Sequence, residues 1–452
     1  MTLFESYTPW ALFVDLGLIS MLLLVGQVLR AKVKLIQKLF IPPSLIAGLL
    51  GLTFGPNGLG WLPFSGELGT YAAILIAIVF AALPLSSSRA PLKEIVRTAG
   101  PMWAYAQLGM LLQWGLVGLI GLFVFKMIWP DLHSAFAMMF PVGFYGGHGT
   151  AAAVGSAFEG LDWEEARSLG MMTATIGVIC AIGGGLIAIK WATRKRETAF
   201  ITDFSELPDE LRSGLVPSDK RTPIGNATTS SISIDSLTFH VALISVSALL
   251  GYLCSRGVKS IYPMLELPVF SCSFVFGLLI KFLLDKTRAS EYVCPQTTQR
   301  IGSLATDLLV AFGVASIKLS VIVKYALPLI ILLVVGVLVV FLVTFFFGRR
   351  LFKSCWFERT IFAWGWWTGT MALGIALLRI VDPKSNSKTM ENSALAYLPI
   401  APLEIALITF MPILFTNGLG VWLLLGCLAL AGVTILIAWR MKWFVSTKKG
   451  QE

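Results

Sequence analysis

Charged residues are scarce in this chain of 452 residues. Asp, Glu, Lys and Arg make up 13% of it, about half the share that is usual in soluble proteins. Hydrophobic residues make up 56%, and they form many runs that are long enough to cross a bilayer. This composition excludes a soluble domain, and it predicts an all-α polytopic membrane protein.

Signatures of catalysis and of resident metals are also missing. The chain has three histidines and six cysteines, with no HExxH sequence, no CxxC pair and no paired carboxylates within an apolar run. These are the patterns that zinc sites and acid/base sites need. We therefore expect no catalytic residues and no metal beyond a transported Na⁺. A membrane-embedded enzyme is the alternative from another class, and nothing in the sequence favours it.

The net charge of +10 does not indicate nucleic-acid binding, because the basic residues stand at the ends of apolar runs. Arg30, Lys32 and Lys34 follow the first run, whereas the segment 56–70 has no Lys or Arg and "FEGLDWEEA" is acidic. Basic loops stay in the cytoplasm. The pattern predicts a multi-pass protein of the plasma membrane with its N-terminus outside and its C-terminus in the cytoplasm.

The apolar runs predict eleven spans. They are Trp10–Leu29, Leu39–Gly55, Tyr71–Ser88, Pro101–Ile128, Ala166–Lys190, Leu237–Ser255, Leu267–Leu284, Ile301–Leu319, Tyr325–Gly348, Ala394–Phe415 and Gly418–Arg440.

Two pairs of segments indicate an internal duplication. "IPPSLIAGLLG" from Ile41 is similar to "LPVFSCSFVFG" from Leu267, and "HGTAAAVG" from His148 is similar to "TGTMALGI" from Thr368. The order and spacing of the pairs agree, as a repeat requires. We expect a first five-span repeat over 1–190, a polar cytoplasmic linker over 191–236, a second five-span repeat over 237–415, and an additional span with a cytoplasmic tail over 416–452.

Five spans in the first repeat would give the second repeat the opposite orientation. Each repeat also holds an apolar segment with glycines in its middle, 135–155 and 361–379, which we interpret as re-entrant hairpins entering from opposite faces. Inverted repeats with broken helices near the midplane are typical of secondary transporters. Close helix packing through small residues is the alternative interpretation of each glycine cluster.

Broken helices expose backbone N–H and C=O groups that can bind a carboxylate or a cation. Because the two hairpin tips can meet, we predict a substrate site there. Arg379 suits a carboxylate, or else it reaches the cytoplasmic interface, where it could pair with Asp382. Trp366 and Trp367 either line the cavity or pack. The predicted substrate-binding residues are Gly147, His148, Gly149, Thr150, Thr368, Gly369, Thr370 and Arg379.

Carboxylates within apolar segments are costly and indicate ion sites. Asp307 lies in "IGSLATDLLVAF" with Ser303 and Thr306 nearby, and Glu404 lies in "PIAPLEIAL". We predict that these four residues bind a coupling cation, with structural polar pairs as the alternative.

"GGHGTAAA" (146–153) and "FIPPSLIAGLLGL" (40–52), together with the inverted five-span halves, resemble the bacterial sodium/glutamate symporters, which are related to the hydroxycarboxylate (citrate) symporters. The resemblance implies Na⁺-coupled uptake of L-glutamate across the bacterial inner membrane by an elevator-type movement. It also implies a homodimer embedded in membrane lipids, with substrate and Na⁺ bound near the hairpin tips. Two departures, "WGWWTGTMALG" at the second hairpin and Arg379, keep a citrate or dicarboxylate symporter as the alternative.

Overall fold

The structure, a computed structural model, describes residues 7–38, 41–86, 92–200, 215–218, 221, 223–230, 232–261, 267–382 and 386–444. The described chain is helical. The helices of its first part are α1 (Pro9–Lys32), α2 (Lys34–Lys38), α3 (Pro43–Phe54), α4 (Leu68–Ser86), α5 (Leu92–Leu112), α6 (Gly118–Ile120), α7 (Lys126–Ile128), α8 (Met139–Phe144), α9 (Gly147–Glu159) and α10 (Glu165–Lys195). Those of the second part are α11 (Ser236–Ile261), α12 (Val269–Lys286), α13 (Pro295–Ala315), α14 (Leu319–Lys324), α15 (Ala326–Leu351), α16 (Trp356–Thr368), α17 (Met371–Val381), α18 (Thr389–Tyr397), α19 (Ala401–Thr416) and α20 (Gly420–Arg440).

Seven of the described helices are long and apolar enough to cross a membrane, and α18 with α19 makes an eighth if this pair, bent by 53°, is one span. These correspond to eight of the eleven predicted spans. The other three predictions fall on α3, α12 and α13. Helix α3 has 12 residues, or about 18 Å at 1.5 Å per residue, whereas a bilayer core is about 30 Å thick. Residues 39–40 and 87–88 of the predicted spans lie outside the described residues.

Helix α5 continues to Ile128 through two π-helical turns, Gln113–Val117 and Gly121–Phe125. The additional span α20 packs beside the first of these turns, where a Cβ added to Gly115 would lie 2.6 Å from the Cδ2 atom of Leu428. Glycine at this position therefore allows α20 to approach the backbone of the π-helical turn closely.

Helices α3 and α12 begin in the same way, and each packs against a helix of the other half of the chain. Each follows an extended proline, Pro42 or Pro268. A Cβ on Gly51 of α3 would lie 2.9 Å from the Cβ of Ala315 in α13, and a Cβ on Gly277 of α12 would lie 2.7 Å from the carbonyl oxygen of Ala81 in α4. Each glycine thus packs against a helix of the opposite half of the chain.

The largest cluster of buried apolar side chains lies around α5, α8, α10, α15 and α16. Lipid is as apolar as this interior, so close packing and interhelical hydrogen bonds hold such helices together. The Tyr105 hydroxyl donates to the Thr344 carbonyl oxygen at 2.8 Å, and the Trp364 indole N–H donates to the Ala181 carbonyl oxygen at 3.1 Å.

Helix α10 runs to Lys195 and so includes the first five residues of the predicted linker. Just beyond it, the Glu197 carboxylate accepts hydrogen bonds from Arg349 at 2.9 Å and from the Trp356 indole N–H at 3.2 Å. The start of the linker therefore packs against the junction of α15 and α16. In the remainder of the predicted linker, residues 201–214, 219–220, 222 and 231 lie outside the described residues. The predicted tail from residue 445 onward also lies outside them.

Candidate functional site

In the first glycine-rich segment, 135–155, the helix is interrupted between α8 and α9. Helix α10 packs against both of these helices. Along α8, Met139 contacts Thr173 through a 2.7 Å hydrogen bond from the threonine hydroxyl, and Phe144 lies 3.3 Å from the Cβ position of Gly177. Later residues of α8 thus meet later residues of α10, so the two helices run parallel.

Helix α9 runs the other way. Ala151 lies 3.3 Å from the Cβ position of Gly170, and the Cβ position of Gly155 lies 2.6 Å from the Cα of Arg167, so later residues of α9 meet earlier residues of α10. The chain therefore reverses between α8 and α9. Gly147, the first residue of α9, has φ +68°, a conformation that glycine adopts without steric cost.

His148 is buried just after this reversal, with 4% of its surface exposed. Its Nε2 lies 3.2 Å from the Thr175 hydroxyl oxygen, and that hydroxyl is 2.9 Å from the Met171 carbonyl oxygen. In the arrangement in which the Thr175 hydroxyl donates to the carbonyl, Nε2 is the donor in the other bond. This assignment leaves Nδ1 of the neutral ring as an acceptor.

The second glycine cluster also reverses the chain. A Cβ on Gly365 would lie 2.7 Å from the Cα of Gly374, although residues nine apart on a straight helix are about 13.5 Å apart. Helix α16 ends at Thr368, whose hydroxyl donates to the Trp364 carbonyl oxygen at 2.6 Å. Thr370 caps α17 by accepting a hydrogen bond from the Leu373 N–H at 3.3 Å.

The two reversals meet. A Cβ on Gly147 would lie 3.2 Å from the Gly369 carbonyl oxygen and 3.9 Å from the Thr370 methyl group. Helix α9 begins at Gly147 without a side-chain cap, and α17 begins at Met371. Two helix N-termini, each with free N–H groups and a partial positive charge, therefore lie at one place, which is an arrangement that attracts anions. Of the predicted substrate-binding residues, the structure brings seven to this junction: Gly147, His148, Gly149, Thr150, Thr368, Gly369 and Thr370.

Arg379, the eighth predicted substrate-binding residue, lies away from this junction. It lies in the last turn of α17, nine residues and about 13.5 Å along the helix from Thr370. Asp382, the suggested partner of Arg379, has other hydrogen-bond partners. The Asp382 carboxylate accepts hydrogen bonds from the backbone N–H groups of Asn386 and Ser387 at 2.9 and 2.8 Å.

The predicted cation-binding residues lie in two places. Ser303, Thr306 and Asp307 line a cavity of about 350 Å³ between α4 and α13, and Asp307 is within hydrogen-bonding reach of the Ser44 hydroxyl. Glu404 is not among the residues that line this cavity. Its Oε2 accepts a hydrogen bond from the Tyr397 hydroxyl at 2.9 Å.

An aromatic cluster connects Glu404 with the junction, and Tyr145 is the member that sequence reasoning missed. Tyr145 directly precedes the first reversal, and its ring centroid lies 5.9 Å from that of Trp366. Trp366 in turn lies 5.5 Å from the ring of Tyr397. A tyrosine within an apolar run is ordinarily interpreted as packing, so no local sequence signal distinguishes it.

A match to one family model decides the family of this chain. The family model described as Sodium/glutamate symporter matches residues 12–355, which is most of the chain and includes the first reversal. The chain belongs to the sodium/glutamate symporter family. Membership confirms the resemblance stated from the sequence and makes the protein a transporter rather than an enzyme.

Individual relatives carry the same name. The sodium/glutamate symporters of Escherichia coli and Shigella flexneri are each 24% identical to this chain over 337 residues, which is 74% of this chain and 79% of theirs. The sodium/glutamate symporter of Haemophilus influenzae is 22% identical over 342 residues, or 74% of this chain and 78% of its own length. The family match ends at residue 355, so the second reversal and Glu404 lie beyond it.

Proposed function

We propose that this protein is a Na⁺-coupled symporter that takes up L-glutamate across the bacterial inner membrane. The observation that carries the proposal is the meeting of two helix N-termini at the reversals before Gly147 and Met371. Glutamate has two carboxylates, and each N-terminus offers free N–H groups and partial positive charge to one of them. Family membership and the names of the relatives support sodium and glutamate as the transported pair.

The proposed substrate-binding residues are those of the junction. Gly147 and Gly369 allow the two backbones to approach the ligand, and the Thr150 and Thr370 hydroxyls donate to it or orient it. His148 offers Nδ1 as an acceptor from a buried, neutral ring. A citrate carrier is not proposed, because Arg379, the residue that suggested one, lies at the far end of α17.

The proposed Na⁺ site is the cavity lined by Ser303, Thr306 and Asp307. Carboxylate and hydroxyl oxygens suit a hard cation. Both hydroxyls donate to carbonyls of their own helix, Ser303 to Gln299 at 2.9 Å and Thr306 to Gly302 at 2.8 Å, so their oxygen lone pairs remain available. Glu404 is the fourth proposed cation-binding residue, at a separate place.

We further propose an architecture of two inverted five-span repeats, over 1–190 and 237–415, joined by a cytoplasmic linker and followed by an additional span. The reciprocal contacts of Gly51 and Gly277 with the opposite half support it, since a pseudo-two-fold axis produces such pairs. The proposed movement is an elevator in a lipid-embedded homodimer, with the N-terminus outside and the C-terminus in the cytoplasm. Cysteine accessibility from each side of the membrane would test the orientation.

The test of function is labelled L-glutamate uptake into proteoliposomes of the purified protein, with and without an inward Na⁺ gradient. We expect accumulation above equilibrium only with the gradient, and a K⁺ gradient of equal size serves as the control. Uptake of acidic amino acids and dicarboxylates that ignores the Na⁺ gradient would refute the proposal. If citrate inhibits uptake as strongly as unlabelled glutamate does, the result would instead favour a citrate symporter.

A further inference from the structure

The hydroxyl of Tyr145 is a buried polar group without a partner. The side chain is 4% exposed, and among the described residues its oxygen has no hydrogen-bond partner. Buried polar groups are hydrogen-bonded in the great majority of proteins, so an exception of this kind needs an explanation. The position of Tyr145, directly before the reversal at Gly146 and Gly147, makes a bound ligand the natural partner.

The surroundings of Tyr145 decide which ligand group would bind there. Glu404 is linked to Tyr145 through Tyr397 and Trp366. It lies in the first turn of α19, where the helix dipole favours its negative charge. The Tyr397 hydroxyl bonds Oε2 of this carboxylate, and the described residues provide no hydrogen bond to Oε1. A carboxylate of the substrate would be repelled here, whereas a cationic group would be attracted.

Aromatic rings complete the surroundings. The Trp366 ring packs near those of Tyr145 and Tyr397, at centroid distances of 5.9 and 5.5 Å, and Trp366 is 6% exposed. The faces of aromatic rings attract organic ammonium groups at about 6 Å, and tryptophan is the most effective. A carboxylate oxygen, a phenol oxygen and an indole face together match the ammonium group of an amino acid.

We propose that Glu404, Tyr145 and Trp366 bind the α-ammonium group of the substrate, while the helix N-termini at Gly147 and Met371 bind its carboxylates. This inference rests on the proposed function and deepens it, because it assigns the group that distinguishes an amino acid from a plain dicarboxylate. The cation that Glu404 takes is then the organic one, and Na⁺ is left to the cavity at Asp307.

The test compares L-glutamate with glutarate, which has the same carbon chain and both carboxylates but no ammonium group. Each is used to inhibit labelled glutamate uptake into proteoliposomes of the full chain. For the wild type we expect glutarate to inhibit at least about tenfold more weakly, which corresponds to one hydrogen-bonded group lost. Tyr145→Phe should raise the half-saturating glutamate concentration about tenfold and Glu404→Gln about a hundredfold, with glutarate inhibition unchanged or improved in both.

Tyr105→Phe is the matched control. It also removes one buried hydroxyl, but that hydroxyl is bonded to the Thr344 carbonyl, so the change should lower thermal stability and leave the glutamate-to-glutarate ratio as in the wild type. If Glu404→Gln does not fold, Tyr145→Phe decides alone, because it removes an oxygen that has no hydrogen-bond partner among the described residues.

The outcomes separate this inference from the function on which it rests. Wild-type uptake that ignores the Na⁺ gradient refutes the proposed function. Na⁺-driven wild-type uptake with an unchanged glutamate-to-glutarate ratio in Tyr145→Phe refutes only the ammonium site. A change confined to the half-saturating Na⁺ concentration would also refute it and would assign Glu404 to Na⁺.

Discussion

Gly147 and Gly369 belong to segments more than two hundred residues apart, yet the Cβ position of Gly147 lies 3.2 Å from the Gly369 carbonyl oxygen. The first reversal places Gly147 at the start of α9, and the second places Gly369 between α16 and α17. Irregular backbone within a membrane protein persists where it is buried or lines a cavity. The contact between these two residues is therefore the centre of the proposed binding site.

Gly147→Ala should reduce glutamate uptake at least about tenfold. A left-handed conformation costs an L-residue about 1–2 kcal/mol, and Gly147 has φ +68°. The new methyl group would also press on the Gly369 carbonyl oxygen. Gly183→Ala is the control, since a Cβ there meets nothing within 4 Å. Equal losses of uptake in the two variants would show that the junction is not part of the substrate-binding site.

Thr370→Ala should weaken transport and also cost about 1 kcal/mol of stability, because the side chain caps α17. Thr370→Ser keeps the hydroxyl and should restore both. Uptake kinetics and thermal unfolding of the two variants separate the cap from ligand contact. Wild-type half-saturation in Thr370→Ala, with lowered stability alone, would show that the hydroxyl only caps the helix.

His148→Ala should raise the half-saturating glutamate concentration while the oligomeric state in detergent stays that of the wild type. His240→Ala is the matched control, because His240 is also buried and also bonded, its Nε2 accepting from the Cys294 N–H at 2.8 Å. That variant should lose stability but keep its affinity for glutamate. The same shift in affinity for both variants would count against a role of His148 in the site.

Asp307→Asn should raise the Na⁺ concentration that gives half-maximal uptake at least about tenfold, since it removes the charge from the proposed Na⁺ cavity. Asp131→Asn, a change of the same kind at an exposed loop residue, is the control. The prediction fails if the Na⁺ dependence of the two variants is the same.

His133 should make the protein less stable in acid. It lies in the loop before α8, where its ring stacks on Trp163 at 4.0 Å, and burial, with the nearby charge of Lys126, lowers its pKa to about 4. As the pH falls from about 6.5 to 4, the unfolded chain binds this proton before the folded protein does, so the free energy of unfolding decreases. Thermal unfolding across this range should show a steeper loss for the wild type than for His133→Phe. Parallel curves would contradict the assignment.

The positions of the breaks could be predicted from the sequence. "GGHGT" and "TGT" interrupt apolar runs, and glycine pairs weaken a helix, so the segments 135–155 and 361–379 were predicted to contain the interruptions that the structure shows. Several of the spans were also predictable, because α1, α4, α10 and α15 are continuous apolar runs.

The remaining features of the candidate site depend on three-dimensional contacts, which the sequence alone does not show. Arg379 was grouped with the second reversal because it is close in sequence, but a regular helix carries it about 13.5 Å away. Tyr145 was overlooked because its significance depends on Trp366 and Glu404, which lie far away in the chain. Whether a tyrosine hydroxyl has a hydrogen-bond partner cannot be predicted from the sequence around it.

The contacts of Gly51 with Ala315 and of Gly277 with Ala81 bear on how the protein is made. While the ribosome is still translating residues 191–236, α3 has already been synthesised, but α13, which packs against Gly51, has not. The early helices must therefore remain adjacent and unaggregated until their later partners are inserted. Since each half carries the surface that the other lacks, we expect two separately expressed fragments, cut within the linker, to reassemble in the same cell.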